Sequence, residues 1–160
     1  MRRILIPKAN GMEKTAELNG MRRYVILLQT SIAIVYLWFG ALKFFPSLSP
    51  AEDLATQTIH LLTFGLLSKQ VSLLLLASWE IAAGLLLLFR LYYSFTFWLV
   101  LLHMAFTFTP LVLLPQLSFT NIPYGLTLVG QYILKNIIIA SALLVIRFYY
   151  RTQKKSTASI

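Results

Sequence analysis

Four ionisable residues fall inside stretches that otherwise suit a lipid environment: Lys43, Glu80, His103 and Lys135. One acid, one imidazole and two amines could move a proton, balance a charge or grip a small polar ligand. Glu80 is the sharpest case, because it interrupts "LLLLASWEIAAGLLLLF", residues 73–89. Each such group carries an insertion penalty of about 2.5–3.5 kcal/mol on translocon scales. They are retained only if they face one another, a ligand or water.

Depth and helical phase both suggest that they meet. At ~1.5 Å rise per residue, Glu80 and Lys135 each lie roughly 14 Å from the outer end of their spans, and His103 about 9 Å below Thr109. Lys43 is nearest the outer edge. Gln29, Tyr36, Gly40 and Lys43 share one helical face; so do Ala77, Glu80 and Gly84. Thr96, His103, Thr107 and Pro110 share another, and Gln131 and Lys135 are four apart. Turning these stripes inward pairs Glu80 with Lys43, Lys135 or both, with Asn136 beside Lys135. Two lysines against one acid then leave a surplus positive charge. An anion, an unprotonated lysine or water would relieve it. The expected site therefore opens outward to a small polar or anionic ligand, or to a quinone headgroup.

Each residue also has a plainer reading. Glu80 can be half of a structural ion pair. Lys43 can snorkel to the interface. Asn136 can be a packing hydrogen bond, and His103 a satisfied core histidine. A haem held by two histidines would need a second one in register, and His60 is the only other histidine in the chain. No metal site is expected.

The elements that must hold these groups are four apolar runs, each near the roughly 20 residues a spanning helix needs: 24–45, 71–89, 91–109 and 126–146. The 160-residue chain is 58% hydrophobic and 12% charged. Its mean hydropathy is +0.74. So few charges cannot cover a water-facing surface, and lipid is the expected solvent. The fold class is all-α: an integral membrane four-helix bundle, with a short amphipathic outer helix between the first and second spans. Residues 1–21 read as a cytoplasmic N-terminal segment, 22–150 as the transmembrane domain and 151–160 as a cytoplasmic basic tail.

Net charge is +9. In a soluble protein that would suggest nucleic acid, but most of the cations flank the spans, so no nucleic-acid partner is expected. Arg2, Arg3, Lys8, Lys14, Arg22 and Arg23 precede the first span, and Arg147, Arg151, Lys154 and Lys155 follow the fourth. Arg90 marks the tight turn between the second and third. The positive-inside rule puts both termini and Arg90 in the cytoplasm. There is no Cys, which removes thiol chemistry from this chain.

In the first outer loop, "SPAEDLATQTIHLL" predicts a helix with Ser49 as N-cap, Pro50 at the first position and Glu52 closing a capping box. Leu54, Thr58, Leu61 and Leu62 form its expected apolar side, with Asp53, Thr56, Gln57 and His60 opposite. Pro110 and Pro115 are expected to end the third helix, and "PQLSFTNIPYG" to form an irregular loop.

The segments "SIAIVYLWFGALKFFP", "WEIAAGLLLL", "HMAFTFTPLVLLP" and "GQYILKNIIIASALLVI" resemble the DoxX-like small membrane proteins. They are most similar to the YkgB-type branch, which includes a reactive-chlorine-resistance protein. The likeness runs over about residues 22–147. It implies a multi-pass protein of the bacterial inner membrane, tied to oxidative stress and to oxidoreductase assemblies. Quinone is the implied cofactor, and a membrane or periplasmic oxidoreductase the implied partner. Lys43, Glu80 and Lys135 match the family's motif positions. Asn136 stands where the branch often has Asp, which removes a Lys–Asp relay, and the first outer loop is shorter than in that branch.

Three functions follow: a redox accessory subunit, a proton-coupled carrier using Glu80, or a structural membrane protein without a ligand. The chain has no nucleophile–base pair, phosphate loop or metal-spaced cluster, so a standalone enzyme is not expected. Self-association into a homo-oligomer is left open.

Overall fold

The computed structural model describes residues 11–45, 47–49 and 51–157, with side chains described for these except 11–15, 18, 156 and 157. The described chain is built of helices apart from one small hairpin. In order they are α1 (Gly11–Leu42), α2 (Glu52–Leu62), α3 (Lys69–Leu88), α4 (Tyr93–Phe108), α5 (Pro110–Leu113) and α6 (Pro115–Ser118). The strands β1 (Phe119–Asn121) and β2 (Gly125–Leu126) follow, then α7 (Leu128–Thr157). Four segments are long and apolar enough to cross a membrane: Asn19–Leu42, Lys69–Leu88, Tyr93–Leu113 and Leu128–Lys155. The chain reads as a multi-pass membrane protein with an all-α bundle.

The four long helices close into a ring. α1 packs on α3 and α7, and α4 packs on α3 and α7. The α1–α3 seam is the most extensive, and two glycines explain why. A Cβ on Gly84 would stand 2.8 Å from Leu37 Cγ and 3.1 Å from its backbone nitrogen; one on Gly40 would stand 3.0 Å from Glu80 Cβ. Without side chains there, the two backbones approach closely, as lipid-embedded helices require. The core between the helices holds Ile32, Ala33, Tyr36, Ala83, Val100, Met104, Leu143 and Ile146. Large apolar side chains such as Ile34, Trp38, Leu75, Leu102, Ile138 and Phe148 face outward. That inversion suits acyl chains as solvent.

α1 starts well before the first apolar run, and α7 continues past the fourth, so both helices extend beyond the expected spans. The turn from α3 to α4 is tight, with Arg90 at φ 57° and Tyr92 at φ 43°. Non-glycine residues tolerate this left-handed region poorly, and two in three residues mark a sharp reversal. Pro110 does interrupt the third span: α4 stops at Phe108 and α5 begins at Pro110.

The loop-side elements differ from expectation in two ways. Ala51, not Ser49, is the residue before α2, and it makes no side-chain cap. Glu52 instead reaches back to accept from the Ser47 backbone N–H at 3.0 Å. The expected first helical residue, Pro50, lies outside the described residues. The buried residues of α2 are Leu54, Thr56 and Thr58, while Leu61 and Leu62 are exposed. Both threonines can be buried because each hydroxyl bonds back to its own helix, to Glu52 O and to Leu54 O. The expected irregular loop is a one-turn helix, α6, followed by an antiparallel hairpin, with Phe119 opposite Leu126.

Candidate functional site

The buried acid is held. Lys43 Nζ lies 2.6 Å from Glu80 Oε2, and their side chains are 7% and 9% exposed. Lys43 leaves α1 just past its last turn and also donates to Phe39 O at 3.2 Å. Glu80 stands at the middle of α3, opposite Gly40, where the missing Cβ leaves room for its stem. The other carboxylate oxygen, Oε1, is 3.5 Å from His103 Nε2. That is an approach rather than a full hydrogen bond. On the far side of the imidazole, Nδ1 lies 2.9 Å from the Tyr36 hydroxyl. The arrangement fits a tautomer with the proton on Nε2 facing the carboxylate, and Nδ1 accepting from Tyr36.

Two bonded pairs, Lys43–Glu80 and His103–Tyr36, therefore meet across the 3.5 Å approach of Glu80 to His103, and this chain of four joins α1, α3 and α4. Tyr36 and Lys43 are two turns apart on one face of α1, about 10 Å along the axis. The set thus reaches from the rim of the bundle inward. Trp79 helps to fix it. Its indole N–H donates to Leu99 O at 3.3 Å, and its ring sits 6.3 Å from that of His103. Tyr36 meets the imidazole edge-on at 5.4 Å.

The fourth helix contributes differently from expectation. Lys135 and Gln131 are exposed, and Lys135 Nζ lies 5.2 Å over the Tyr132 ring on the outer surface of the bundle. The buried apolar residues of α7 are Ile133, Leu143, Ile146 and Tyr149. Gln131 and Lys135 stand two residues either side of buried Ile133, so each lies about 160° round the helix from it. So Lys135 does not pair with Glu80, and the predicted surplus of buried positive charge disappears: one lysine faces one carboxylate. Asn136 does face inward, where its Nδ2 donates to Thr107 Oγ1 at 3.2 Å. It ties α7 to α4 but does not join the chain of four.

Toward the end that carries both termini there is a second polar layer. Gln29 donates to Leu87 O at 2.9 Å and accepts from the Tyr150 hydroxyl at 3.0 Å. Between the two layers stand Ile32, Ala33, Val100 and Leu143, all buried. The polar set around Glu80 is therefore bounded by an apolar plug on that side.

The expected outward opening lies elsewhere. A cavity of about 300 Å³ opens at the loop end and is lined by Thr56, Gln57, His60, Leu61, Lys69 and Leu114. None of the chain of four borders it. Tyr36 and Trp79 stand against the His103 ring, and Gly40 faces Glu80. The loop-end cavity does offer donors to a headgroup oxygen, from Gln57, His60 and Lys69. Lys69 also bridges to Asp53 at 2.8 Å and to Glu52 at 3.6 Å, fastening α2 to the start of α3. Among the described residues no group of three or more His, Cys, Asp or Glu side chains could hold a metal ion.

Tyr36 and Trp79 were not singled out from the sequence as site residues. Tyr36 carried a usable signal, because it shares a helical face with Lys43, but aromatic residues in membrane spans usually read as packing. No family model, curated protein or solved structure matches this chain.

Proposed function

We propose that the protein is a small accessory subunit of the bacterial inner membrane, both termini cytoplasmic, that handles a proton for a quinone-linked redox partner in oxidative-stress metabolism. The observation that carries the proton-handling part is the chain Lys43–Glu80–His103–Tyr36. It places an amine, a carboxylate, an imidazole and a phenol in sequence inside a helical bundle. Such groups pass protons along hydrogen bonds, so transfer between Glu80 and His103 requires their 3.5 Å approach to close. The redox placement rests on the resemblance to DoxX-like proteins. A headgroup with carbonyl oxygens would be held by Gln57, His60 and Lys69 at the loop-end cavity, while the buried chain keeps a proton in reserve deeper in the bundle.

A proton-coupled carrier using Glu80 is the second reading, favoured by the reach of the chain from rim to interior. The apolar layer of Ile32, Ala33, Val100 and Leu143 weighs against it, because a carrier would have to open that layer on each cycle.

Gentle purification from the native membrane, followed by mass spectrometry of bound proteins and quinones, tests the proposal. The expected result is a copurifying oxidoreductase whose activity falls in Glu80→Gln while the association persists. Proton flux in liposomes by the purified chain alone, lost in Glu80→Gln, would establish the carrier instead.

A further inference from the structure

We propose that the surface where α4 meets α7, at the end of the bundle where α4 begins, binds the phosphate of an anionic phospholipid through Arg147, Tyr93 and Arg151. Two orphaned donors mark the place. Arg147 Nη1 and the Tyr93 hydroxyl are both buried without a hydrogen-bond partner. Membrane-embedded polar groups rarely stay unpaired, since each unmet donor is costly in a medium without water.

Arg147 is held by stacking rather than by an acid. Its guanidinium carbon lies 4.0 Å from the Phe97 ring centre and 5.0 Å from that of Trp98. Stacking covers a face of the guanidinium and leaves its in-plane N–H groups seeking acceptors. Arg151 follows Arg147 one turn later on α7. Tyr93 of α4 and Tyr150 of α7 are in ring contact at 4.5 Å, which brings the two helices together beside Arg147.

Among the described residues no carboxylate pairs with Arg147 or Arg151. Glu80 is taken by Lys43, and Glu52 and Asp53 by Lys69 at the opposite end. Glu17 precedes Gln29 by more than three turns of α1, about 18 Å along the axis. Among the described residues none supplies the acceptor, and a bound group would supply it. A tetrahedral phosphate suits a guanidinium fork with a hydroxyl beside it. The surroundings favour a lipid over a free ion: Phe95, Trp98 and Phe148 are exposed on the same two helices, where acyl chains would lie.

The test is thermal stabilisation and native mass spectrometry of the full chain in mild detergent. Three additions are compared: phosphatidylglycerol, phosphatidylcholine with the same acyl chains, and inorganic phosphate. The expected result is retention of phosphatidylglycerol about tenfold above phosphatidylcholine, abolished in Arg147→Gln and reduced about fivefold in Tyr93→Phe. Arg147→Lys should recover only part of the binding, since it keeps the charge but loses the fork. Inorganic phosphate should neither stabilise the chain nor displace the lipid; if it does both, the ligand is a free anion and the lipid assignment fails. Equal retention of the two lipids, or unchanged phosphatidylglycerol binding in both Arg147→Gln and Tyr93→Phe, would overturn the site. Tyr93→Phe keeps the test decisive should Arg147→Gln fail to fold.

Discussion

Gly40 of α1 faces Glu80 of α3 so closely that a Cβ on the glycine would lie 3.0 Å from the glutamate's own Cβ. The small residue and the buried acid form one device. The glycine lets α1 approach α3, and that approach brings Lys43, three residues further along α1, onto the carboxylate at 2.6 Å. Intramembrane charge is retained here by backbone proximity.

The Gly84 contact on the same seam gives a direct stability prediction. A Cβ there meets Leu37 Cγ at 2.8 Å and Leu37 N at 3.1 Å, so a side chain must push the helices apart. Gly84→Ala should cost about 1–3 kcal/mol, as overpacking of a close contact does. Gly84→Leu should cost more. Reversible unfolding in bicelles checks this; an unchanged midpoint for Gly84→Leu would mean that the seam is loose.

Tyr36→Phe should expose the dependence of His103 on its phenol. The variant keeps the ring contact but leaves the buried Nδ1 without its 2.9 Å partner. The expected loss is about 1–3 kcal/mol, the usual cost of an unsatisfied buried acceptor. Nitrogen-15 spectra of the imidazole should shift at Nδ1, and unchanged ring signals would show that the hydroxyl does not bond there.

Asn136→Ala removes the bond to Thr107 between α7 and α4. Side-chain hydrogen bonds between membrane helices average about 0.6 kcal/mol, so the loss should be small. The Glu80 environment should be unaffected, because Asn136 does not touch it. A large loss, or a perturbed His103 signal, would place Asn136 in the polar chain after all.

Much of this arrangement was legible in the sequence, and the limits were physical. Stripes on the first three spans had at least three members spaced by three, four or seven residues. That fixes a helical phase, and Gln29, Tyr36, Gly40, Ala77, Glu80, Gly84, Thr96 and His103 are all buried as expected. The fourth stripe had only Gln131 and Lys135. Two residues four apart show that they share a face but not where it points, and α7 turns them outward. The buried apolar residues of α7, Ile133, Leu143, Ile146 and Tyr149, do not stand out in a helix apolar all round. Arg147 was legible as a flanking charge, but its stacking on Phe97 depends on where α4 and α7 meet, which no local pattern encodes. The α2 start was misplaced because Glu52 turned back to Ser47 rather than to a capping serine.

The central claim is that Glu80 is retained in the bundle by Lys43 and not by Lys135. Two double-mutant cycles in lipid bilayers test it, combining Glu80→Gln with Lys43→Met and with Lys135→Met. Breaking a buried pair from one side costs about 3–5 kcal/mol, and removing both charges together should recover most of that loss. The account predicts strong coupling between Glu80 and Lys43, and coupling within about 0.5 kcal/mol of zero between Glu80 and Lys135. Strong coupling to Lys135, or none to Lys43, would contradict it.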